Sequence, residues 1–217
     1  MNSLKEVEKK RKQVFKPLLE NPFTQAQFPR IEPIIQEQLL EFLLHILLDV
    51  KKYNTLVDSK PSFKVEKPEI LSNITLGFNS TVQALENQAQ DKKQTPKLSF
   101  IVVCKADIQP QLLISQFPVL CYTASKQDHK IKLIQLPKGS IDRIEEVLGK
   151  KTGIIGLQNF ENLPEGFIKL IEEEVKNIEV PWLENISFVS PKIKMLKTTA
   201  PIMPKRNKQK TNKVQKS

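Results

Sequence analysis

Two sets of residues in this chain have types and spacing suited to chemistry. In the run Gly77-Phe78-Asn79-Ser80-Thr81-Val82-Gln83, a Gly-x-Asn turn opens a helical pattern. The first turn of a helix presents backbone N–H groups without intrahelical acceptors and a partial positive charge. Polar residues there form a natural seat for a phosphate or a base edge. The same residues have a second use, because Ser80 and Gln83 have capping-box spacing and can satisfy those N–H groups themselves. The second set is cationic: Lys10, Arg11, Lys12 and Lys16 near the start, the Lys150-Lys151 pair, and Lys192, Lys194, Lys197, Lys205 and Arg206 toward the end. These are phosphate-neutralising charges by type. Lys150 and Lys151 also follow a helical pattern, where they complement its dipole, and the run 205–210 has the composition of a nuclear import signal.

The distribution of charge decides how these cations act. The chain has 34 Lys and Arg against 24 Asp and Glu, but residues 1–16 hold six basic side chains and 192–217 hold nine with no acid. The stretch between has nineteen basic and twenty-two acidic residues. A near-neutral core with basic arms implies arms that lie along a polyanion and order on binding.

An enzyme reading finds little to use. Cys104 and Cys121, the only cysteines, stand in apolar runs as small buried hydrophobes. Of the two histidines, His45 lies in a leucine-rich helix as a core or interface residue, and His129 lies in a polar loop. No histidine pair, acidic cluster or glycine-rich loop has ligand or phosphate spacing, so no metal or cofactor is expected. Glu172, Glu173 and Glu174 read as the solvated face of a helix. The polar start and the shortness of the apolar run 39–50 point to a soluble intracellular protein without a membrane span.

The elements that must position these residues follow from periodicity. Pro22 and Pro29 keep residues 17–30 extended, as part of an N-terminal arm over 1–30. A helix runs from Pro33 to Tyr53 with a stripe at Ile35, Leu39, Phe42, Leu43, Ile46 and Val50. Further leucines at 40, 44, 47 and 48 widen the stripe until the helix is sandwiched between layers or covered by a partner. Residues 54–72 and 87–97 read as irregular, flexible connections. Beyond them the pattern is strand 98–104, helix 110–116, strands 119–122 and 131–136, helix 141–148, strand 153–157 and helix 164–178. Asn162 and Glu165 have capping-box spacing, and Gly149 stands as a C-terminal cap. This alternation predicts a three-layer α/β/α sandwich with a small mixed sheet over 31–180, followed by a basic C-terminal arm over 181–217, disordered towards its end, with Trp182 as its anchor.

The Gly77-x-Asn79 helix, the strand Phe100-Ile101-Val102-Val103-Cys104, and the runs Ala106-Asp107-Ile108-Gln109-Pro110 and Phe117-Pro118-Val119-Leu120-Cys121 together resemble the kink-turn-binding ribosomal-protein superfamily. More specifically, Lys10-Arg11-Lys12-Gln13-Val14-Phe15-Lys16-Pro17-Leu18-Leu19-Glu20-Asn21-Pro22-Phe23-Thr24, Leu133-Ile134-Gln135-Leu136-Pro137-Lys138, Pro181-Trp182-Leu183 and Leu196-Lys197-Thr198-Thr199-Ala200-Pro201-Ile202 are similar to the fungal Pop-three subunits of ribonuclease P/MRP. The resemblance implies a non-catalytic nuclear and nucleolar subunit. Its partners would be the RNA components of both particles and their other protein subunits, met through the helix 39–50 and the arms. It also implies RNA contact by Gly77 and Asn79. Ser80 stands where the superfamily usually has an acid, Gln83 where it has lysine, and the loop Gly149-Lys150-Lys151-Thr152 is shorter and basic rather than apolar. These departures favour recognition of shape and phosphates in a related RNA element. The competing expectation is a protein scaffold whose arms clamp neighbouring subunits; RNA-bound arms would show steep salt dependence and protein-bound arms would not.

Overall fold

A computed structural model describes residues 11–21, 26–59, 67–91, 97–184 and 187–201. It divides the chain into two units, one formed by 1–24 with 186–217 and the other by 25–185.

In the larger unit the elements are α1 (Pro33–Ser59), α2 (Ile70–Asn73), β2 (Ile74–Leu76), α3 (Phe78–Ala89), β3 (Leu98–Val103), a 3-10 turn (Gln111–Leu113), α4 (Phe117–Ala124), β4 (Lys132–Gln135), α5 (Ser140–Leu148), β5 (Ile154–Gln158), α6 (Glu165–Glu174) and α7 (Pro181–Glu184). The sheet order is β2-β5-β3-β4. β3 and β4 run parallel, with Val103 opposite Gln135; β5 runs antiparallel to both β3 and β2, with Ile154 opposite Val103 and Ile155 opposite Leu76. The sheet is therefore mixed, as the alternation of elements predicts.

Two cores cover its faces. Phe100, Val102, Ile134, Ile155 and Leu157 meet Leu39, Leu40, Leu43 and Leu47 of α1, Ile144 of α5, and Phe167 and Ile171 of α6. On the other face Ile101, Val103, Leu133 and Ile154 meet Leu85 of α3 and Phe117, Cys121 and Ala124 of α4. Alternation along β3 sends successive side chains to opposite layers, which is why that strand is apolar throughout. The result is the α/β/α sandwich expected from sequence.

Several local expectations change. α1 continues to Ser59, six residues past Tyr53, because no breaker occurs before Pro61; Thr55 Oγ1 donates to the Lys51 carbonyl within this extension. Residues 70–76, expected to fall partly in an irregular connection, form α2 and the edge strand β2, and α3 keeps 87–89 helical. Of the rest of those two segments, 60–66 and 92–96 lie outside the described residues. The stretch 119–122 is helix rather than strand. Pro118 pre-sets the first turn of α4, and Phe117, Cys121 and Ala124 share one buried face, so helical burial overrides the β-preference of Val-Leu-Cys-Tyr. The helix expected over 110–116 reduces to the 3-10 turn, and α6 ends at Glu174 instead of continuing to 178. Asn162 does not cap α6; its Nδ2 donates to Glu69 Oε2. Phe28 packs against the α3/α4 core, and Pro29 and Ile31 are buried, so residues from 26 onward sit with the sandwich rather than with the arm.

The smaller unit holds β1 (Arg11–Glu20) and β6 (Lys192–Pro201), paired antiparallel from Arg11 opposite Pro201 to Glu20 opposite Lys192. Extended arms are what the sequence predicts. Their pairing with each other is what it does not.

Candidate nucleic-acid interface

The sheet register brings four chain segments to one end. β2, β3 and β4 finish there, and β5 starts there, so the segments 77–80, 104–107, 136–139 and 149–153 share that rim.

Gly77 makes the turn into α3. Its φ of 91° and ψ of 168° lie in a region that essentially only glycine occupies, and its amide donates to the Ile154 carbonyl at 2.8 Å. That bond holds the start of α3 beside the segment that carries Lys150 and Lys151. No side chain caps α3. The capping use of Ser80 and Gln83 is thus not realised: Asn79, Ser80 and Gln83 are all exposed. The one hydroxyl of this turn that is buried belongs to Thr81, whose Oγ1 lies 3.2 Å from Thr75 Oγ1 in β2. Phe78 anchors the turn from below, edge-on to Phe117 with ring centroids 5.8 Å apart.

α5 ends on Gly149, whose φ of 66° is the left-handed cap that the sequence predicts, and Lys150 and Lys151 follow it exposed. Thr152 is buried next to them, and Gly153 accepts a bond from the Cys104 amide, so the two lysines sit on a pinned base.

Three residues of this rim escape sequence reasoning. Lys105 follows β3 and stacks over the Phe28 ring with its Nζ 4.8 Å from the centroid, and Lys138 follows β4, exposed. Asp107 accepts from the Gly139 amide at 2.8 Å and the Ile141 amide at 3.2 Å, locking the β4–α5 turn that presents Lys138. The available signal was a lysine within three residues after each of two strands. It becomes meaningful only once β3 and β4 are known to be parallel neighbours.

Of the other cations singled out by sequence, Arg11, Lys12, Lys16, Lys192, Lys194 and Lys197 are exposed on the β1–β6 ribbon. Lys194 pairs with Glu20 at 3.3 Å. Lys10, Lys205 and Arg206 lie outside the described residues.

The thiols and histidines are occupied differently. Burial raises Cys104 to about 12, with Asp107 adding to the effect, and burial raises Cys121 as well. His129 Nε2 lies 3.0 Å from the Leu98 carbonyl and 3.5 Å from Ser99 Oγ, while His45 is exposed on α1 rather than buried in the core. Among the described residues no three His, Cys, Asp or Glu side chains group as metal ligands, and no helix is long and apolar enough to cross a membrane.

Comparison with known proteins gives the chain its family. A solved structure, the Giardia lamblia 15.5kD RNA binding protein, matches 63% of this chain and 88% of its own at 13% identity, with a TM-score of 0.40. A Saccharomyces cerevisiae protein, Ribonucleases P/MRP protein subunit POP3, is 31% identical over 211 residues, covering 94% of this chain and 97% of its own. The family model described as RNase P subunit Pop3 matches residues 10–185, and the chain belongs to that family.

Proposed function

We propose that this chain is a non-catalytic, RNA-binding subunit of nuclear ribonuclease P and ribonuclease MRP. It acts in the nucleus and nucleolus, where it stabilises the RNA component while the particles mature tRNA 5′ ends and process ribosomal RNA precursors. The observation that carries the RNA-binding role is the rim of the sheet: an uncapped helix start with exposed Asn79, set by Gly77 against Ile154, beside four lysines from three other segments. Helix N–H groups and Asn79 suit a base edge or phosphate, while Lys105, Lys138, Lys150 and Lys151 suit a backbone that approaches along the rim. A supporting role rather than a catalytic one accords with the two thiols, which are buried and held protonated.

The test is a titration of the full-length protein against ribonuclease P RNA and an unrelated duplex of equal length, at two salt concentrations. The proposal expects tighter binding to the cognate RNA, weakened by Asn79→Ala. Equal affinity for both RNAs, unchanged by Asn79→Ala, would remove the rim as a recognition site.

A further inference from the structure

We infer that one face of the β1–β6 ribbon is a docking surface for a partner protein whose apolar patch is rimmed by carboxylates. This rests on the reading above in one respect, that the chain works inside a multi-subunit particle.

In an antiparallel pair, directly opposed residues project to the same face. One face therefore carries Phe15 with Lys197, Pro17 with Met195, and Leu19 with Ile193 in succession. Its large apolar members are open to solvent: Phe15 by 56%, Leu19 by 76%, Ile193 by 65% and Met195 by 57%. The opposite face alternates, with Lys12, Lys16, Lys192 and Lys194 set among Val14, Leu18 and Leu196. Directly opposed apolar pairs, Pro17 with Met195 and Leu19 with Ile193, occur on the first face only, and the leucines of the opposite face, Leu18 and Leu196, are less exposed at 45% each. An isolated two-stranded ribbon is marginally stable in water, and burial of such a face is what stabilises one.

The occupant follows from charge and shape. The two strands carry Arg11, Lys12, Lys16, Lys192, Lys194 and Lys197 against a single acid, Glu20, so a second copy would bring like charges together. RNA gains little from aliphatic Leu19, Ile193 and Met195, since bases stack on aromatic rings and this face has only Phe15. A protein surface with its own apolar patch satisfies the aliphatic cluster, and carboxylates at its rim satisfy Arg11 and Lys197 of the same face. Ten residues of strand span about 33 Å, and two strands are roughly 10 Å wide, so the face offers about 330 Å². Stable pairwise interfaces bury about 800 Å² per partner, so the ribbon supplies one portion of a contact whose remainder the particle provides.

The test places a photo-crosslinking amino acid at position 19 or 193, and for comparison at 16 or 194, in the full-length chain purified within ribonuclease P. Mixed isotopic labelling identifies any second copy. The expected result is crosslinking from 19 and 193 to peptides of another protein subunit that contain apolar residues with Asp or Glu. A Leu19→Asp, Ile193→Asp double variant should then be recovered in the particle about tenfold less than wild type, with the isolated chain's affinity for the RNA unchanged. Crosslinks from 19 and 193 to RNA, to a second copy, or to nothing overturn this inference alone, as does undiminished recovery of the double variant. A wild-type chain that never enters the particle overturns the parent reading and this one with it.

Discussion

The amide of Gly77 donates to the carbonyl of Ile154 at 2.8 Å, one residue beyond the Leu76–Ile155 pair that closes the β2–β5 ladder. Pairing thus persists to the point where the chain leaves the sheet, and α3 starts in contact with the segment that follows the lysine loop. The helix that points polar groups outward and the segment that follows the lysine loop are fixed to each other by a backbone hydrogen bond, made at a position whose conformation calls for glycine.

Gly77→Ala should destabilise the protein by about 1–3 kcal/mol, because the backbone conformation there is nearly exclusive to glycine. A Cβ at this position meets nothing within 4 Å, so the loss is conformational strain rather than a clash. Thermal unfolding by circular dichroism should show a fall of about 2–4 °C per kcal/mol. An unchanged melting temperature would mean that the turn relaxes freely.

Asn79→Ala and the Lys150→Ala, Lys151→Ala pair should weaken RNA binding in different ways. Loss of a polar contact to a base edge costs about 1–3 kcal/mol with the salt dependence retained. Loss of two phosphate contacts flattens the slope of log K against log salt by roughly 0.7–0.9 per contact. Filter binding at several salt concentrations separates the two, and parallel slopes for all proteins would argue that neither lysine reaches a phosphate.

The buried Gln88 side chain joins three elements. Its Nε2 lies 3.3 Å from the carbonyls of both Leu98 and Ala124, and its Oε1 receives the Leu98 amide at 2.8 Å. Gln88→Leu leaves the buried Leu98 N–H without that acceptor, a cost of about 1–3 kcal/mol. Urea unfolding should record that loss while RNA affinity per folded molecule stays constant, since Gln88 lies near the opposite end of α3 from Asn79.

Neither thiol should react in the folded protein. Cys104 is raised to about 12 from an ordinary 9.0, chiefly by burial and then by Asp107, and Cys121 is raised by burial alone. With Ellman's reagent near pH 8, two thiols should appear only after denaturation. The linked stability effect has a definite sign: the unfolded state loses these protons near pH 9.0, before the folded state does, so stability falls as pH rises from there toward 12. A fast-reacting thiol in the native protein would contradict the burial.

The layered fold was legible because its strongest signals are local. Pro33 opens α1 where a proline fits a first turn, Gly149 closes α5 in the left-handed conformation, and the continuous apolar run of β3 announces a strand buried on both faces. Phe117 to Ala124 misled because eight residues with a proline and aromatic neighbours satisfy either period, and only packing on α3 selects the helix. The bond from Gly77 to Ile154, and the placing of Lys105 and Lys138 just after two adjacent parallel strands, depend on strand direction and order, which no local pattern encodes.

The register of β1 with β6 ties together segments at opposite ends of the sequence, with Glu20 opposite Lys192 and everything from 21 to 191 enclosed between them. The ribbon is a clasp without a covalent bond. Closing so long a loop costs entropy that grows only with the logarithm of its length, so the great sequence separation of the two strands adds little to the cost of pairing them. Deleting 192–201 therefore does more than subtract three lysines: it strips β1 of every pairing partner and exposes its edge. The two strands stand or fall together, so a lesion in either is felt in both.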